Sequence, residues 1–227
     1  MRMQEGARVS NDLAAAVAEL RRVGYSAVVS DCCDAVGIRG QTLAPGILPV
    51  SPAQGVLVGL ARPARSIAVD VSPERPYETE IAFIDSLEPD DVVVASVPAQ
   101  AAFWGELFST AGLARGAAGV VVDGLIRDQR RIAAMGFPVL ARGGHPTDSL
   151  GRIRMVEHDV PVVVAGIRVE RGDLVVADID GIVVVPAAAA PEVARRAVEK
   201  ASTENRARAL IEDGVLLRDA FERFRVL

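Results

Sequence analysis

The chain has 227 residues, of which 50% are hydrophobic, with a mean hydropathy of +0.28 and a net charge of −5. A chain of this size buries one core, so we predict a single domain over residues 1–227. The 25 basic residues are scattered without a run, which argues against nucleic-acid binding. Residues 1–9 are polar and no uncharged apolar run reaches about 18 residues, so we expect a cytoplasmic protein without a membrane partner.

The first part of the chain has the pattern of two helices. Apolar residues follow Ser10 at helical spacing and the run ends at Gly24, and a second helical run reaches Gly37. Cys32 and Cys33 are the only cysteines and are adjacent, which gives neither a disulfide framework nor zinc-ligand spacing. We therefore interpret both as residues on a helix face.

Short Val-rich segments bounded by Gly, Pro or Asp predict strands through most of the remaining chain. The predicted strands are 56–60, 66–71, 91–97, 118–122, 139–141, 160–164, 174–177 and 181–185. A run of alanines then leads into Pro191, a suitable first residue for a long amphipathic helix, so we predict a C-terminal helical extension over about 190–227. Composition and pattern thus indicate a mixed α/β domain.

The stretch from Gly105 to Asp128 carries the candidate chemistry. Glu106 opens an amphipathic run with helical spacing, and strand 118–122 ends at a predicted Asp-Gly turn. Arg127 and Asp128 follow that turn and stand directly before a predicted short helix over 129–135. Charged loop residues at the end of a buried strand are where α/β proteins place ligands.

Each of these residues also has an ordinary structural explanation. Asp128 alone is explained as an N-cap of its helix, and Arg127 alone as a solvated surface charge. Glu106 is explained as a first-turn acid that complements the helix dipole. The combination favours a functional site, because the acid, the twenty-residue spacer and the Arg-Asp pair bracket a helix and a strand that bring both ends together.

The residue inventory narrows the chemistry of that site. A Schiff-base mechanism needs a desolvated lysine, and the single lysine, Lys200, lies in the charged C-terminal helix. A zinc site of the aldolase type needs several histidines, and the chain has only His145 and His158. The available ligands are carboxylates, and oxygen ligands suit Mg²⁺ or Mn²⁺.

The acid, spacer and Arg-Asp pair (Glu106, then Arg127-Asp128) resemble the signature of the RraA-like family, which includes 4-hydroxy-4-methyl-2-oxoglutarate/4-carboxy-4-hydroxy-2-oxoadipate aldolases. Other segments match in family order, and together they cover nearly the whole chain. These segments are 30–37, 44–47, 102–107, 142–146 and 172–186. Two positions depart from the pattern: Glu106 stands where Asp is often found, and Gly144-His145 occupies a variable site.

The resemblance implies the swivelling β/β/α fold, a layered sandwich assembled as a ring trimer or as a hexamer of two trimers. It implies a divalent-metal-dependent, class II-type aldolase that cleaves 4-hydroxy-2-oxo di- or tricarboxylic acids to pyruvate, with oxaloacetate decarboxylation as a side activity. Asp128 would hold Mg²⁺ or Mn²⁺ and bind a small 2-oxo acid through it, and a metal acting as a Lewis acid would stabilise the pyruvate enolate.

The resemblance and the chemistry of the side chains also imply roles for individual residues. Arg127 would act in catalysis as a bidentate donor to the enolate oxygen or the carboxylate. Glu106 would act on metal-bound water, and the amides of Gly105, Glu106 and Leu107 at a helix start would bind the substrate carboxylate with Arg127. Glu204 would reach the site of a neighbouring subunit. The base that takes the C4 hydroxyl proton is not identifiable from the sequence.

Two alternatives stay open at this point. The RraA-like family includes non-catalytic regulators that bind and inhibit an RNA-degrading endonuclease, and these can keep the same acid and Arg-Asp pattern. A methyltransferase is disfavoured, because no glycine-rich strand-turn-helix motif stands near the start of the chain. For Glu204, the ordinary explanation is a solvent-facing pair with Arg208 four residues away.

Overall fold

The structure is a computed structural model and describes residues 13–15, 17–50, 55–98 and 100–226. Within them, nine strands form one curled sheet and two form a separate hairpin. The strands are β1 Leu48–Pro49, β2 Leu57–Ala68, β3 Asp91–Ser96, β4 Ala102–Trp104, β5 Gly119–Ile126, β6 Val139–Gly144, β7 Ile153–His158, β8 Val162–Val164, β9 Ile167–Val169, β10 Leu174–Ala177 and β11 Ile182–Val185. The helices are α1 Ser26–Ala35, α2 Glu78–Asp85, α3 Glu106–Ala114, α4 Gln129–Met135, α5 Ala190–Glu212 and α6 Leu217–Phe224, preceded by helical residues at 13–15 and 17–23.

The centre of the sheet is parallel and its flanks are antiparallel. The strand order is β1-β6-β5-β3-β2-β10-β11, with β4 added to the end of β5 and β7 added to β2. The pairs β2-β3, β3-β5 and β5-β6 are parallel. The carboxyl ends of these strands therefore meet at one edge, where open α/β sheets place their ligands.

Strand alternation divides the core between the two faces of the sheet. In β10, Val176 packs with α1 and α5, whereas Val175 faces the opposite cluster that also contains Val164 of the β8-β9 hairpin. The helices α2, α3 and α4 cover the β3-β5 part of the sheet, where Val120 and Val122 belong to a third buried cluster. Helices thus cover two regions of the sheet and a hairpin contributes to the cluster on the other face.

The strand β2 corrects the prediction of two separate strands at 56–60 and 66–71. One continuous strand runs through Arg62 and Pro63, which interrupted the apolar pattern. The strand can include the buried Arg62 because its guanidinium pairs with Asp91 at 2.8 Å and with Asp159 at 2.6 Å. Burying a charge is tolerated when it is paired and hydrogen-bonded in this way.

The strand β5 corrects the prediction of a turn at Asp123-Gly124. The strand continues to Ile126, with an irregularity in its pairing with β6 between Val122 and Leu125. A Cβ on Gly124 would lie 2.8 Å from Val97 Cβ, so this glycine permits close packing rather than a turn. The longer strand carries Arg127 and Asp128 to the edge of the sheet.

The structure also describes the first helices, the cysteines and the C-terminal segment. The helix that ends near Gly24 is present from residue 13, while Ser10 lies outside the described residues. Cys32 and Cys33 are buried on α1, and burial raises the pKa of the Cys33 thiol to about 11. The predicted C-terminal extension forms two helices, α5 and α6, separated at Gly214 with φ of 92°. Among the described residues, no helix has the length and apolar character needed to cross a bilayer.

Candidate functional site

A cavity of about 570 Å³ opens where β4 and β5 end and α3 begins. It is lined by both charged and apolar side chains. The charged and polar residues that line it are Glu106, Arg127, Asp128, Arg131, Asp148, Ser149 and Tyr77. The structure therefore brings together the acid and the Arg-Asp pair that the sequence singled out.

Asp128 occupies the N-cap position of α4, but its side chain does not cap that helix. Its backbone adopts a left-handed conformation with φ of 60°, and its Oδ2 accepts the N–H of Glu106 at 3.2 Å. The carboxylate thus contacts the amino end of α3, one helix earlier in the chain. The ordinary explanation of this side chain as a cap of its own helix is wrong.

Gly105 makes this close approach between chain segments possible. Its φ of −153° is open to any residue, so backbone conformation does not require glycine here. A Cβ at this position would lie 2.9 Å from Asp128 Oδ2 and 3.3 Å from Arg127 Cγ. Because those distances are shorter than ordinary contacts, a larger residue would displace the charged groups.

The side chain of Arg127 lies between two carboxylates. Its backbone N–H donates to the carbonyl of Trp104 at 2.9 Å, which ties the β5-α4 connection to β4. Its Nε lies 3.6 Å from Asp128 Oδ2, and its Nη1 lies 3.2 Å from Asp148 Oδ1. About 39% of the side chain remains exposed, so the guanidinium is accessible from the cavity.

Asp148 and Tyr77 were missed by the sequence interpretation. The Tyr77 hydroxyl donates to Asp148 Oδ2, and burial together with this carboxylate raises the pKa of Tyr77 to about 12. Burial opposes ionisation of Asp148, but the Tyr77 hydrogen bond and the charge of Arg127 outweigh it and lower the pKa of Asp148. Asp148 follows β6, a parallel neighbour of β5. Its position after a predicted strand could therefore have marked it as a candidate site residue.

Glu106 and Leu107 begin α3 at the mouth of the cavity. Glu106 is the predicted first-turn acid, and its Oε1 accepts the Thr110 hydroxyl at 3.2 Å. Leu107 is 74% exposed beside it. The Glu106 amide, expected to be free for a substrate, already donates to Asp128, which leaves the following amides of the first turn as candidate donors.

Glu204 is the predicted site residue that the structure does not bring to the cavity. It lies on α5, with 13% of its side chain exposed, and its Oε1 is 3.6 Å from Lys200 Nζ. Burial raises its pKa, although the charge of Arg208 works against that. The expected pair with Arg208 is replaced, because Arg208 donates to Asn205 instead.

The donor set of the cavity suits a hard divalent cation held by few protein ligands. In the described part of the chain, no group of three His, Cys, Asp or Glu side chains could hold a metal ion. Asp128 is 40% exposed in the cavity and supplies carboxylate oxygen, the ligand type that Mg²⁺ prefers. Mg²⁺ typically uses one or two carboxylates and keeps several waters, so the residues present fit it.

The curled sheet makes this chain an α/β protein with a site built from an acid and an Arg-Asp pair. Its similarity to known proteins identifies the family. The chain belongs to the RraA-like family (Aldolase/RraA), which it matches over residues 26–184. It is similar to a Streptomyces coelicolor protein described as an unusual member of the RNase ES inhibitor RraA protein family. That structure has a TM-score of 0.73 and 30% identity over 86% of this chain and 96% of the other.

Curated relatives extend the similarity toward aldolases. A protein of Halalkalibacterium halodurans, provisionally named 4-hydroxy-4-methyl-2-oxoglutarate aldolase, is 32% identical over 60% of this chain and 65% of its own. Protein DlpA of Legionella pneumophila is 28% identical over 87% of this chain. The chain spans only 32% of the length of DlpA. The mixed α/β fold is thus confirmed as that of the family, whereas the ring trimer stays a prediction.

Proposed function

We propose that this protein is a divalent-metal-dependent aldolase that cleaves 4-hydroxy-2-oxo di- or tricarboxylic acids to pyruvate, with oxaloacetate decarboxylation as a side activity. The observation that carries the proposal is the convergence of Glu106, Arg127 and Asp128 around Gly105 in one cavity. The relatives that are named aldolases support the same reaction class. We also propose that the protein is a trimer or hexamer whose subunits share their sites.

Arg127 would bind and orient the substrate. A guanidinium presents several N–H donors in a fixed plane, which matches a carboxylate or an adjacent pair of oxygens. With Nε directed to Asp128 and Nη1 to Asp148, its remaining donors can contact a 2-oxo acid. As negative charge develops on the 2-oxo oxygen during C–C cleavage, the same donors would stabilise it.

The start of α3 would hold the substrate carboxylate. The first-turn amides that follow Glu106 point their N–H groups out of the helix, and the helix dipole favours an anion there. Asp128 would hold Mg²⁺ or Mn²⁺, with Glu106 lining the same cavity. The metal would supply Lewis-acid stabilisation of the enolate when bound.

Features elsewhere in the chain support this choice over a Schiff-base reaction. The single lysine, Lys200, lies on α5 and pairs with Asp31 at 2.5 Å. It is not among the residues that line the cavity. An amine held in an ion pair outside the cavity is not placed to attack the carbonyl carbon of a substrate bound there.

The test is a coupled assay for pyruvate with hydroxy-oxo acids and with oxaloacetate. We expect pyruvate from both substrate types with Mg²⁺ or Mn²⁺ and loss of the signal with a chelator. The control is the same chelated protein after the metal is restored, which should recover its activity. No pyruvate from any substrate of the panel with either metal would remove the proposal.

A second candidate is a binding inhibitor of an RNA-degrading endonuclease. It is favoured by the similarity to the Streptomyces coelicolor member of the RNase ES inhibitor family. Such a function would need a surface for the endonuclease rather than the cavity. Inhibition of the host endonuclease by the purified protein, retained in the Asp128→Ala variant, would support this candidate over the aldolase.

A further inference from the structure

Tyr77 and Asp148, which the sequence did not single out, lie beside Arg127 in the cavity. The carboxylate of Asp148 is shared between different donors, with Oδ2 accepting the Tyr77 hydroxyl and Oδ1 lying 3.2 Å from Arg127 Nη1. Oδ1 also accepts the N–H of Ser149 at 2.8 Å. Because both oxygens are engaged, rotation of this carboxylate is restricted.

The two residues are themselves anchored to separate elements. Asp148 pairs with Ala102 of β4 as an isolated bridge, and the neighbouring Thr147 carbonyl accepts the Ala102 N–H at 2.8 Å. Tyr77 stands at the N-cap of α2 with φ of 61°, a conformation that is uncommon for a residue with a side chain. Its carbonyl accepts the N–H of Ile81 at 2.8 Å. The pair thus links α2, the β6-β7 connection and the cavity.

This arrangement leaves part of the Arg127 guanidinium for a ligand. The guanidinium makes ion-pair contacts, with Nε 3.6 Å from Asp128 Oδ2 and Nη1 3.2 Å from Asp148 Oδ1. None of its N–H groups has a geometric hydrogen-bond partner among the residues that the structure describes, so they remain for a ligand. A guanidinium that rotates freely would lose the planar match to a carboxylate. Ion pairs with two carboxylates restrict the orientation of the guanidinium plane and so direct its N–H groups.

We propose that Tyr77 and Asp148 form a clamp that positions the Arg127 guanidinium for the substrate, an inference that rests on the proposed function. Both are positioning residues that act through Arg127. Tyr77 fixes the carboxylate of Asp148, and Asp148 fixes Nη1. Because Tyr77 also lines the cavity, a measurement of Arg127 orientation without substrate is needed to separate positioning from a direct substrate contact.

A measurement that needs no substrate tests the clamp directly. In nitrogen-15 NMR spectra of arginine side chains, with the Arg127 signal assigned by its loss in Arg127→Lys, we expect Tyr77→Phe to speed rotation about the Nε–Cζ bond by about tenfold, as for loss of one hydrogen bond to a charged group. Tyr25→Phe is the matched control, because Tyr25 is the only other tyrosine and packs in the cluster around α1 and α5. Asp148→Asn should reproduce the effect.

An activity measurement tests the consequence of the clamp. We expect Tyr77→Phe to lower kcat/KM for pyruvate release by about tenfold, since small misplacements of a catalytic group cost this much or more. In an Arg127→Lys background the same change should add little, because the two residues act as one unit. Unchanged Arg127 rotation in both Tyr77→Phe and Asp148→Asn, or fully additive losses in the double variant, would overturn the clamp. Absence of pyruvate in the wild type would instead refute the proposed function, while the rotation rate still decides the clamp.

Discussion

Asp128 is the residue whose geometry best separates a functional role from a structural one. Its carboxylate makes no cap hydrogen bond to α4 and instead accepts the Glu106 N–H. We expect Asp128→Ala to lose most pyruvate release, because it removes the proposed metal ligand. The loss in free energy of unfolding should not exceed the ~1 kcal/mol typical of a removed helix-end hydrogen bond, here the one from Glu106 N–H. Kinetic assays and urea unfolding of the same preparations measure both quantities.

Arg127→Lys is the companion to that variant. A lysine keeps the positive charge but loses the planar fork of donors, so we expect a large fall in kcat/KM in a folded protein. A functional role of the pair would be contradicted if Asp128→Ala kept its turnover and lost about 1 kcal/mol of stability, as a simple cap would.

Gly105 gives a prediction that depends on space alone. In Gly105→Ala, the new methyl group would lie 2.9 Å from Asp128 Oδ2, so we expect the carboxylate to move and activity to fall by about tenfold or more. Gly112→Ala is the control, because it adds the same methyl group within α3, the helix that Gly105 precedes, 3.3 Å from Phe137 and outside the residues that line the cavity. Equal kinetics in the two variants, measured by pyruvate release, would contradict the requirement for glycine.

At the scale of elements, the sequence predicted those whose signals are local. The strands β3, β10 and β11 are apolar runs with clear boundaries, and each appears within one residue of its predicted range. The strand β2 was split because Arg62 and Pro63 break the apolar pattern. Only the ion pairs of Arg62 with Asp91 and Asp159, distant in sequence, explain the continuous strand. Such tertiary pairs leave no trace in local composition.

The same limit applies to the candidate site. Glu106, Arg127 and Asp128 were recognised because one helix and one strand connect them, so their spacing is informative. Tyr77 belongs to a helix that the sequence interpretation missed, and it reaches Asp148 across 71 positions of the chain. The contact could not be predicted, because it depends on how α2 packs against the β6-β7 connection.

Glu204 on α5 allows a prediction of pH dependence. Burial raises its pKa in the folded protein, so the folded state binds a proton more tightly than the unfolded state and stability falls as pH rises through this pKa. We therefore expect Glu204→Gln to be more stable than the wild type at neutral pH. The gain should vanish below the ordinary glutamate pKa of about 4.3. Urea unfolding at several pH values measures this difference, and a gain independent of pH would contradict the explanation.

The end of α5 gives a second prediction at this scale. The buried side chains of α5 up to Ala201 belong to the cluster around α1, whereas beyond Ala201 only Ala207 and Ala220 are buried among the described residues. A chain that ends at Ala201 should therefore stay folded and assembled. We expect it to lose aldol cleavage but keep part of its oxaloacetate decarboxylation, which needs no C4 proton acceptor. Full aldol cleavage in the truncated protein would refute a role for this segment.

At the scale of the whole molecule, the site and α5 lie on different parts of the sheet. Helices α3 and α4 with the cavity cover the β3-β5 part, whereas α5 packs over β10 and β11. Glu204 does not line the cavity of its own subunit. If Glu204 acts in the reaction, it must do so in a neighbouring subunit. A catalytic role of Glu204 therefore requires that the protein is an oligomer.

Subunit mixing answers that question. Asp128→Ala and Glu204→Gln should each be inactive alone, but a ring formed from both contains sites in which an intact Asp128 faces an intact Glu204 of its neighbour. Random assortment in a closed ring makes roughly one site in four complete, so we expect about a quarter of wild-type activity after the two variants are unfolded and refolded together. The control is each variant refolded alone. Because a site built within one subunit cannot be restored by mixing, absence of recovered activity in verified mixed trimers would contradict a shared site, and full activity of Glu204→Gln alone would place Glu204 outside the reaction.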